Sequence, residues 1–199
     1  MVENIVKLEY TIHGYVLFAV LLEEKHSLSE IFSIDLLHLK WKESFIMTHL
    51  KVGEKAPYFS GINQNSKNIS LSNYSNKKLI LYFYPKDNTP GCTIESCNLN
   101  ENYSKLIKEG FQIIGVSPDD EKSHLKFIAK YNFSFDLIAD VEKTICISYG
   151  VWGKKKFMGR EYDGVHRTTF VINKDQIIQK IFTKVDTKNH SQQILESYK

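Results

Sequence analysis

Beyond residue 50, the apolar positions of the chain alternate between strand-like runs and helix-like spacing. The run 78–84 is almost continuously apolar and ends at Pro85, which is typical of a buried strand. A helix-compatible stretch follows at 90–108, then a second β-rich run at 111–117 and a helical stretch at 120–131. The pattern therefore predicts strands and helices in alternation through the middle of the chain.

The last third of the chain continues with shorter runs. The predicted elements are a strand at 135–139, a helical stretch at 142–149, an irregular segment to 165, two β-rich runs at 167–172 and 176–183 around the hairpin signal Asn173-Lys174-Asp175, and a final helix at 188–198. Together with a short opening hairpin after Lys51, this order predicts an α/β protein with a thioredoxin-like fold. In that fold a mixed β-sheet is sandwiched between helices.

The first 46 residues do not share this pattern, and we divide the chain into an N-terminal extension, 1–46, and a domain, 47–199. The apolar stretch 14–22 is well short of the roughly 20 residues that a membrane-spanning helix needs. It also lacks the basic lead and cleavage pattern of a signal peptide. Our leading interpretation is a start codon placed too far upstream of Met47. An appended helical segment and a degenerate targeting sequence are the alternatives.

Composition narrows the class of protein. The 199 residues suffice for one sizeable core, and 42% hydrophobic with 25% charged residues is typical of a soluble globular protein. A net charge of +3 is too small to indicate a nucleic-acid or membrane partner, and the run 154–156 of three lysines is predicted to be a solvated loop. Three cysteines do not form a secreted disulfide framework, so we expect a cytoplasmic protein. The scattered histidines lack metal-ligand spacing, so no metal or other cofactor is expected.

The candidate chemistry lies where the strand 78–84 passes into the following helix. Thr89 is a favoured N-cap residue, and Pro90 suits the first helical position. Cys92 then falls in the first turn, at the positive end of the helix dipole, where a thiolate is favoured over a thiol. The sequence therefore predicts that Cys92 is a nucleophile.

A second cysteine, Cys97, lies five residues after Cys92, which is not the spacing of a C-x-x-C disulfide exchanger. On an ideal helix the two Cα atoms would be about 8–9 Å apart, whereas disulfides rarely tolerate more than about 7 Å. If the two cysteines bond, the first helical turns must unwind. Oxidation of a thiolate to a sulfenic acid, followed by capture after local unfolding, is peroxide chemistry.

The residues around Cys92 also carry a family resemblance. The pattern Pro85-x-x-x-Thr89-x-x-Cys92 resembles the active-site signature of the peroxiredoxins, and the longer string 84–97 resembles their bacterioferritin-comigratory, or Q-type, branch. The segments 149–153 and 164–172 are similar to the same branch. The resemblance runs from about residue 51 to the C-terminus.

This resemblance implies a thioredoxin-dependent thiol peroxidase that reduces hydrogen peroxide and organic hydroperoxides in antioxidant defence. Cys92 would be the peroxidatic cysteine, which becomes a sulfenic acid. Cys97 would be the resolving cysteine of an atypical 2-Cys mechanism and would form a disulfide with Cys92. Thioredoxin or a similar dithiol protein would reduce that disulfide, and a monomer is expected.

Three further residues complete the expected site. The hydroxyl of Thr89 should cap the helix, a contribution of about 1 kcal/mol, and the resemblance implies that it also hydrogen-bonds the peroxide. Arg167 should lie beside Cys92, because the thioredoxin order brings its strand next to the one ending at Pro85. Its guanidinium would stabilise the thiolate and the charge that develops on the peroxide. Pro85 is expected to shape the substrate pocket.

Two nearby residues receive no catalytic role from the sequence. His166 should point to the opposite face of the strand from Arg167, so it is not assigned as a general base. Glu95 is left undecided between pairing with an arginine and lying in the first turn of the helix, where acidic residues are favoured.

Two other functions compete with the peroxidase. A cysteine hydrolase or acyl-transferase would also use an activated cysteine at a helix start, but it needs an oriented base, and none of the histidines lies in such a motif. Hydrolysis also gives no role to Cys97. A thioredoxin-fold redox sensor that relays oxidation to a partner would share the same pocket sequence and remains the alternative.

Overall fold

The computed structural model describes residues 6–12, 15–21, 48–157 and 159–198. The chain divides into two units, Met1–Phe45 and Ile46–Lys199. In the first unit, β1 (Val6–Ile12) and β2 (Tyr15–Leu21) pair as an antiparallel hairpin. The alternative of an appended helical segment is therefore wrong for these residues, and the rest of the extension lies outside the described residues. No helix in the described ranges is long and apolar enough to cross a membrane.

The second unit is built on strands and short helices in alternation. Its strands are β3 (Ser60–Asn63), β4 (Asn68–Ser70), β5 (Lys78–Phe83), β6 (Phe111–Ser117), β7 (Asp136–Ala139), β8 (Trp152–Phe157), β9 (Arg160–Val165), β10 (Thr168–Ile172) and β11 (Ile178–Phe182). Its helices are α1 (Pro90–Glu101), α2 (Tyr103–Lys108), α3 (Glu121–Tyr131), α4 (Thr144–Ser148) and α5 (His190–Glu196), with a 3-10 turn at Leu71–Tyr74.

Seven of these strands form one mixed sheet in the order β11-β10-β5-β6-β7-β3-β4. The central strands β5, β6 and β7 are parallel, and the remaining pairs are antiparallel. The sheet order places β10 directly beside β5, as the sequence predicts. Consequently the C-terminal end of β5 and the N-terminal end of β10 lie next to each other, at the same end of the sheet.

The sheet is buried on both faces, which is why β5 reads as a continuous apolar run. Leu79, Leu81 and Phe83 enter one core, which also contains side chains of α4. Ile80 and Tyr82 enter the other, where α1, α2, α3 and α5 contribute side chains. Helices therefore pack on both faces of a mixed sheet, and the predicted thioredoxin-like fold class is confirmed.

Two predicted elements differ from the structure. The single helix 90–108 is broken at Asn102, whose side chain donates back to the carbonyl of Asn98 at 2.9 Å and competes with the helical ladder. The segment predicted to be irregular is the antiparallel hairpin β8–β9, turned at Gly159 with φ +80°. The three lysines thus lie on a strand, not in a loop, and Lys154 forms an exposed ion pair with Asp163.

Candidate active site

Cys92 is the third residue of α1, directly after the loop that leaves β5. Pro90 opens the helix, and Thr89 occupies the N-cap position with extended backbone angles. Cys92 is 1% exposed, and its sulfur accepts a hydrogen bond from Arg167 Nη2 at 3.2 Å. The sulfur thus lies both in the first helical turn and against a guanidinium.

Arg167 reaches Cys92 because of the sheet order. It immediately precedes β10, whose first residue, Thr168, pairs with Phe83 at the end of β5. From this end of the sheet the Arg167 side chain extends to the start of α1. The structure therefore brings together Cys92 and Arg167, which are 75 residues apart in the chain.

Glu95 holds the other side of the same guanidinium. Arg167 Nη1 donates to Glu95 Oε2, so the open question about Glu95 is answered by an ion pair. Glu95 is fully buried, and its Oε1 has no hydrogen-bond partner within the part of the chain that the structure describes. Burial raises the pKa of Glu95 to about 7, although Arg167 acts in the opposite direction.

The two members of this ion pair respond differently to burial. Burial opposes the charge of Arg167, but the neighbouring Glu95 and Cys92 raise the pKa of the guanidinium above its ordinary value. Arg167 therefore stays charged at every physiological pH. Glu95 is the member of the pair that gains or loses a proton near neutrality.

The hydroxyl of Thr89 does not cap α1, so that expectation is wrong. It donates instead to the carbonyl of Lys86 at 2.9 Å, because the tight turn 86–89 brings that acceptor within reach. The amides of the first helical turn receive no side-chain cap. Since its proton is directed at Lys86, the Thr89 oxygen has lone pairs available to accept a hydrogen bond from a ligand.

Cys97 lies in the same unbroken helix as Cys92, and both cysteines are free thiols. Helix geometry separates their Cα atoms by about 8–9 Å, beyond the roughly 7 Å limit for a disulfide. Partial burial and the nearby Glu101 carboxylate raise the pKa of Cys97 above its ordinary value. Within the intact helix Cys97 is therefore a thiol that cannot reach Cys92.

The segment that carries Arg167 is also held from the hairpin β8–β9, which the sequence reading did not anticipate. Lys155 on β8 donates to the carbonyl of Val165 at 2.9 Å, and the amide of His166 donates to Val151 O at 2.7 Å. Burial and the nearby Arg167 lower the pKa of Lys155. Burial and Lys155 likewise lower the pKa of His166.

Three other residues differ in their relation to the site. Pro85 is half-buried at the start of the loop that leads to Cys92. Cys146 is fully buried among apolar side chains, and burial raises the pKa of its thiol far above the ordinary value. Asp87, which the sequence reading missed, is a buried carboxylate in the same loop as Pro85. No local pattern could have revealed it, because its partners Ser123 and His124 lie more than 30 residues further on.

In the described ranges, no group of three or more His, Cys, Asp or Glu residues is arranged to hold a metal ion. The chemistry available at this site is therefore that of a buried sulfur with a guanidinium beside it, a hydroxyl in the adjoining loop, and a second thiol further along the helix.

Comparison with known proteins gives consistent matches. The model of the AhpC/TSA family matches residues 52–181. The putative peroxiredoxin bcp of Haemophilus influenzae is 44% identical over 150 residues, covering 75% of this chain and 97% of the relative. Peroxiredoxin Bcp of Escherichia coli is 38% identical over 149 residues, covering 75% and 96%. The crystal structure of a cysteine-to-serine mutant of Xylella fastidiosa PrxQ matches with a TM-score of 0.71 and 30% identity, covering 76% of this chain and 96% of that one.

Proposed function

This chain belongs to the AhpC/TSA family as a peroxiredoxin of the Bcp/PrxQ type, a thiol peroxidase with antioxidant activity, and we propose how its residues carry out the reaction. The substrates are hydrogen peroxide and organic hydroperoxides. Every residue with a proposed role lies in 47–199, which we take as the catalytic domain.

In the first step, the Cys92 thiolate attacks the terminal oxygen of the hydroperoxide. A sulfur–oxygen bond forms, the oxygen–oxygen bond breaks, and the leaving alkoxide or hydroxide takes a proton to become alcohol or water. Arg167 stabilises the thiolate and the charge that develops on the leaving oxygen. Thr89 accepts a hydrogen bond from the peroxide O–H, and Pro85 helps to shape the pocket. Cys92 is left as a sulfenic acid.

In the second step, Cys97 attacks the sulfur of the sulfenic acid. The disulfide bond forms, the sulfur–oxygen bond breaks, and the hydroxyl leaves as water. Because α1 keeps the two thiols apart, its first turns must unwind first. Thioredoxin, or a similar dithiol protein, then supplies two electrons and is itself oxidised to a disulfide. Both cysteines belong to one chain, so a monomer suffices, and a reducing compartment such as the cytoplasm suits the cycle.

The observation that carries this proposal is the placement of Cys92 at the start of α1 against a guanidinium that Glu95 holds. A structural cysteine would not need a permanently charged donor on its sulfur. A cysteine hydrolase would need a base beside the sulfur, whereas arginine cannot remove a proton.

Turnover is the decisive test. The full chain, thioredoxin, thioredoxin reductase and NADPH should consume many equivalents of hydrogen peroxide or tert-butyl hydroperoxide per protein. Consumption of a single equivalent, with no acceleration by thioredoxin, would instead favour a stoichiometric redox sensor. Mass spectrometry after one equivalent of peroxide should show the loss of two hydrogens and a peptide pair linked through Cys92 and Cys97.

A further inference from the structure

The loop between β5 and α1 contains one buried carboxylate among exposed neighbours. Lys86 and Asn88 are exposed, whereas Asp87 is 5% exposed. Its backbone amide donates to Asp119 Oδ2 at 2.9 Å. The loop is therefore anchored at its centre as well as at its two ends.

The side chain of Asp87 has three hydrogen-bond partners. Tyr84, which directly follows β5, donates its hydroxyl to Oδ1 at 2.7 Å. From the first turns of α3, Ser123 Oγ donates to Oδ2 at 2.7 Å, and His124 Nδ1 lies 2.9 Å from the same oxygen. This network ties the loop to the sheet and to a helix that comes more than 30 residues later.

His124 has no contact with solvent, and both of its ring nitrogens face acceptors. Nδ1 faces the Asp87 carboxylate, and Nε2 faces the carbonyl of Ile138 at 3.2 Å. Asp87 and His124 therefore form a buried hydrogen-bonded pair, and removal of either partner leaves a buried polar group of the other without that contact.

The anchored residue lies inside the turn that presents the Thr89 hydroxyl. The hydrogen bond from Thr89 Oγ1 to Lys86 O closes this turn around Asp87 and Asn88, and Asn88 takes the left-handed φ of +55° that asparagine tolerates. A shift of Asp87 would consequently move both ends of the bond that orients the hydroxyl.

We propose that Asp87 and His124 are positioning residues for the peroxide reaction, a role that rests on the proposed function. The pair holds the turn 86–89 so that the Thr89 hydroxyl meets a peroxide lying against Cys92. Arg167, which stabilises the thiolate, has no part in this network. Loss of the pair should therefore slow the reaction with peroxide while leaving the general reactivity of the Cys92 thiolate unchanged.

The test compares two reactions of Cys92 in the full chain. One is oxidation by hydrogen peroxide in a single turnover, and the other is alkylation by iodoacetamide, which needs a thiolate but no oriented peroxide. Asp87→Asn and His124→Gln should each lower the oxidation rate by about 10- to 100-fold, as expected for a displaced reacting group, with alkylation within about twofold of wild type. The double variant should be no slower than the worse single variant, because the two residues act as a unit.

Asp140 provides a matched control. It is also a buried aspartate with three hydrogen bonds, from Thr144 Oγ1 at 3.2 Å, Ile145 N at 3.1 Å and Cys146 N at 2.8 Å, but it holds the start of α4. Asp140→Asn should lower the melting temperature and leave the oxidation rate unchanged. If Asp87→Asn behaves in the same way, its role is only structural and the proposal is wrong.

Two further outcomes are decisive. If oxidation and alkylation fall together, the substitution has damaged the thiolate environment, and the positioning role is refuted. If Asp87→Asn does not fold, Ser123→Ala replaces it, because this variant removes one hydrogen bond and keeps both Asp87 and His124. It should slow oxidation about 5-fold, the equivalent of one hydrogen bond, and a wild-type rate would overturn the proposal. Failure of the proposed function itself is distinct, since wild-type Cys92 would then not react with peroxide.

Discussion

Two helices of similar length, α1 and α3, pack on the same face of the sheet but are held in different ways. Helix α3 is capped at both ends: Asp120 accepts from Ser123 N at 2.8 Å, and Asn132 ends the helix in a left-handed conformation. Its buried Phe127 lies among aromatic rings of the core. Apolar packing and caps thus hold α3 in place.

Helix α1 has no side-chain cap and no acidic residue in its first turn. Besides its buried Leu99, it contacts the rest of the domain through a series of polar pairs. These are the ion pair of Glu95 with Arg167, the hydrogen bond shared by Ser96 and Tyr82 at 3.0 Å, those of Asn98 with Lys188 O at 2.7 Å and Ser191 N at 2.8 Å, and those of Asn100 with Asn132 O at 3.1 Å and Ser134 N at 2.8 Å.

The difference has an energetic meaning. Each hydrogen bond contributes about 1 kcal/mol net, because water replaces it when it opens, whereas exposing a buried phenylalanine costs about 2–3 kcal/mol. A helix attached by polar pairs can therefore open in small steps. This suits α1, which must unwind in the proposed cycle. Helix α3, which carries His124, can remain fixed as the anchor of the active-site loop.

The largest expected effect tests whether Cys92 of α1 is the residue that reacts with peroxide. Cys92→Ser should abolish peroxide reduction while the fold is retained, because a serine hydroxyl is not ionised at neutral pH. Cys146→Ala, which alters a buried cysteine of α4, should leave the activity intact. Thioredoxin-coupled assays would measure both, and steady turnover by Cys92→Ser would refute the assignment.

The next effect separates the two cysteines within α1. Cys97→Ser should still reduce one equivalent of peroxide, since Cys92 is untouched, but steady turnover with thioredoxin should be lost. The sulfenic acid should accumulate and then oxidise further to sulfinic acid. Intact-mass measurements after successive peroxide additions would follow these species. Recycling at the wild-type rate would show that Cys97 does not resolve the intermediate.

Arg167 links α1 to the sheet and, in the proposed mechanism, stabilises the Cys92 thiolate. Arg167→Ala should lower the rate of Cys92 oxidation by roughly 10²- to 10³-fold, the usual effect of removing one donor aimed at developing charge. Arg160→Ala changes an exposed arginine of β9 and serves as the control. Rapid-mixing kinetics would give both rates. Equal rates for the two variants would mean that the guanidinium against Cys92 has no catalytic effect.

Glu95 makes the stability of α1 depend on pH. Its pKa of about 7 lies above the ordinary 4.5, so the folded protein keeps a proton that the unfolded chain loses between these values. The contribution of Glu95 to the free energy of unfolding should therefore fall as the pH rises from about 4.5 to 7, by on the order of 3 kcal/mol, and level off above 7.

Glu95→Gln should remove that fall, because a glutamine side chain does not titrate. Urea unfolding at a series of pH values would measure the difference between wild type and variant. An identical pH dependence in the two proteins would contradict the raised pKa.

The smallest effect concerns the polar attachment of α1 alone. Asn98→Ala removes two hydrogen bonds that hold the helix near Cys97, so opening should become easier by about 1–2 kcal/mol and disulfide formation faster by roughly 5- to 30-fold. Asp120→Ala should lower overall stability by about 1 kcal/mol through the lost cap of α3 but leave disulfide formation unchanged. Quenched-flow mass spectrometry would measure these rates. If both variants accelerated disulfide formation equally, the proposed difference between the attachment of α1 and that of α3 would be wrong.

Local sequence determined much of this protein. The strand predicted at 111–117 is found at Phe111–Ser117, and the run 78–84 forms Lys78–Phe83, because an apolar run bounded by Pro or Gly carries its own signal. For the same reason Thr89 and Pro90 placed Cys92 in the first turn of a helix. These features depend on residues within a few positions of one another.

Only the tertiary structure decided how the site is held. The ion pair of Glu95 with Arg167 joins residues 72 apart, and the hydrogen bond between Asp87 and His124 joins residues 37 apart. Which donor meets which acceptor over such distances depends on strand order and helix packing, which no local pattern encodes. The contact of the Thr89 hydroxyl also depended on the folded geometry, although its partner is near in sequence. The shape of the turn 86–89 places Lys86 O, and not a helix amide, next to the hydroxyl.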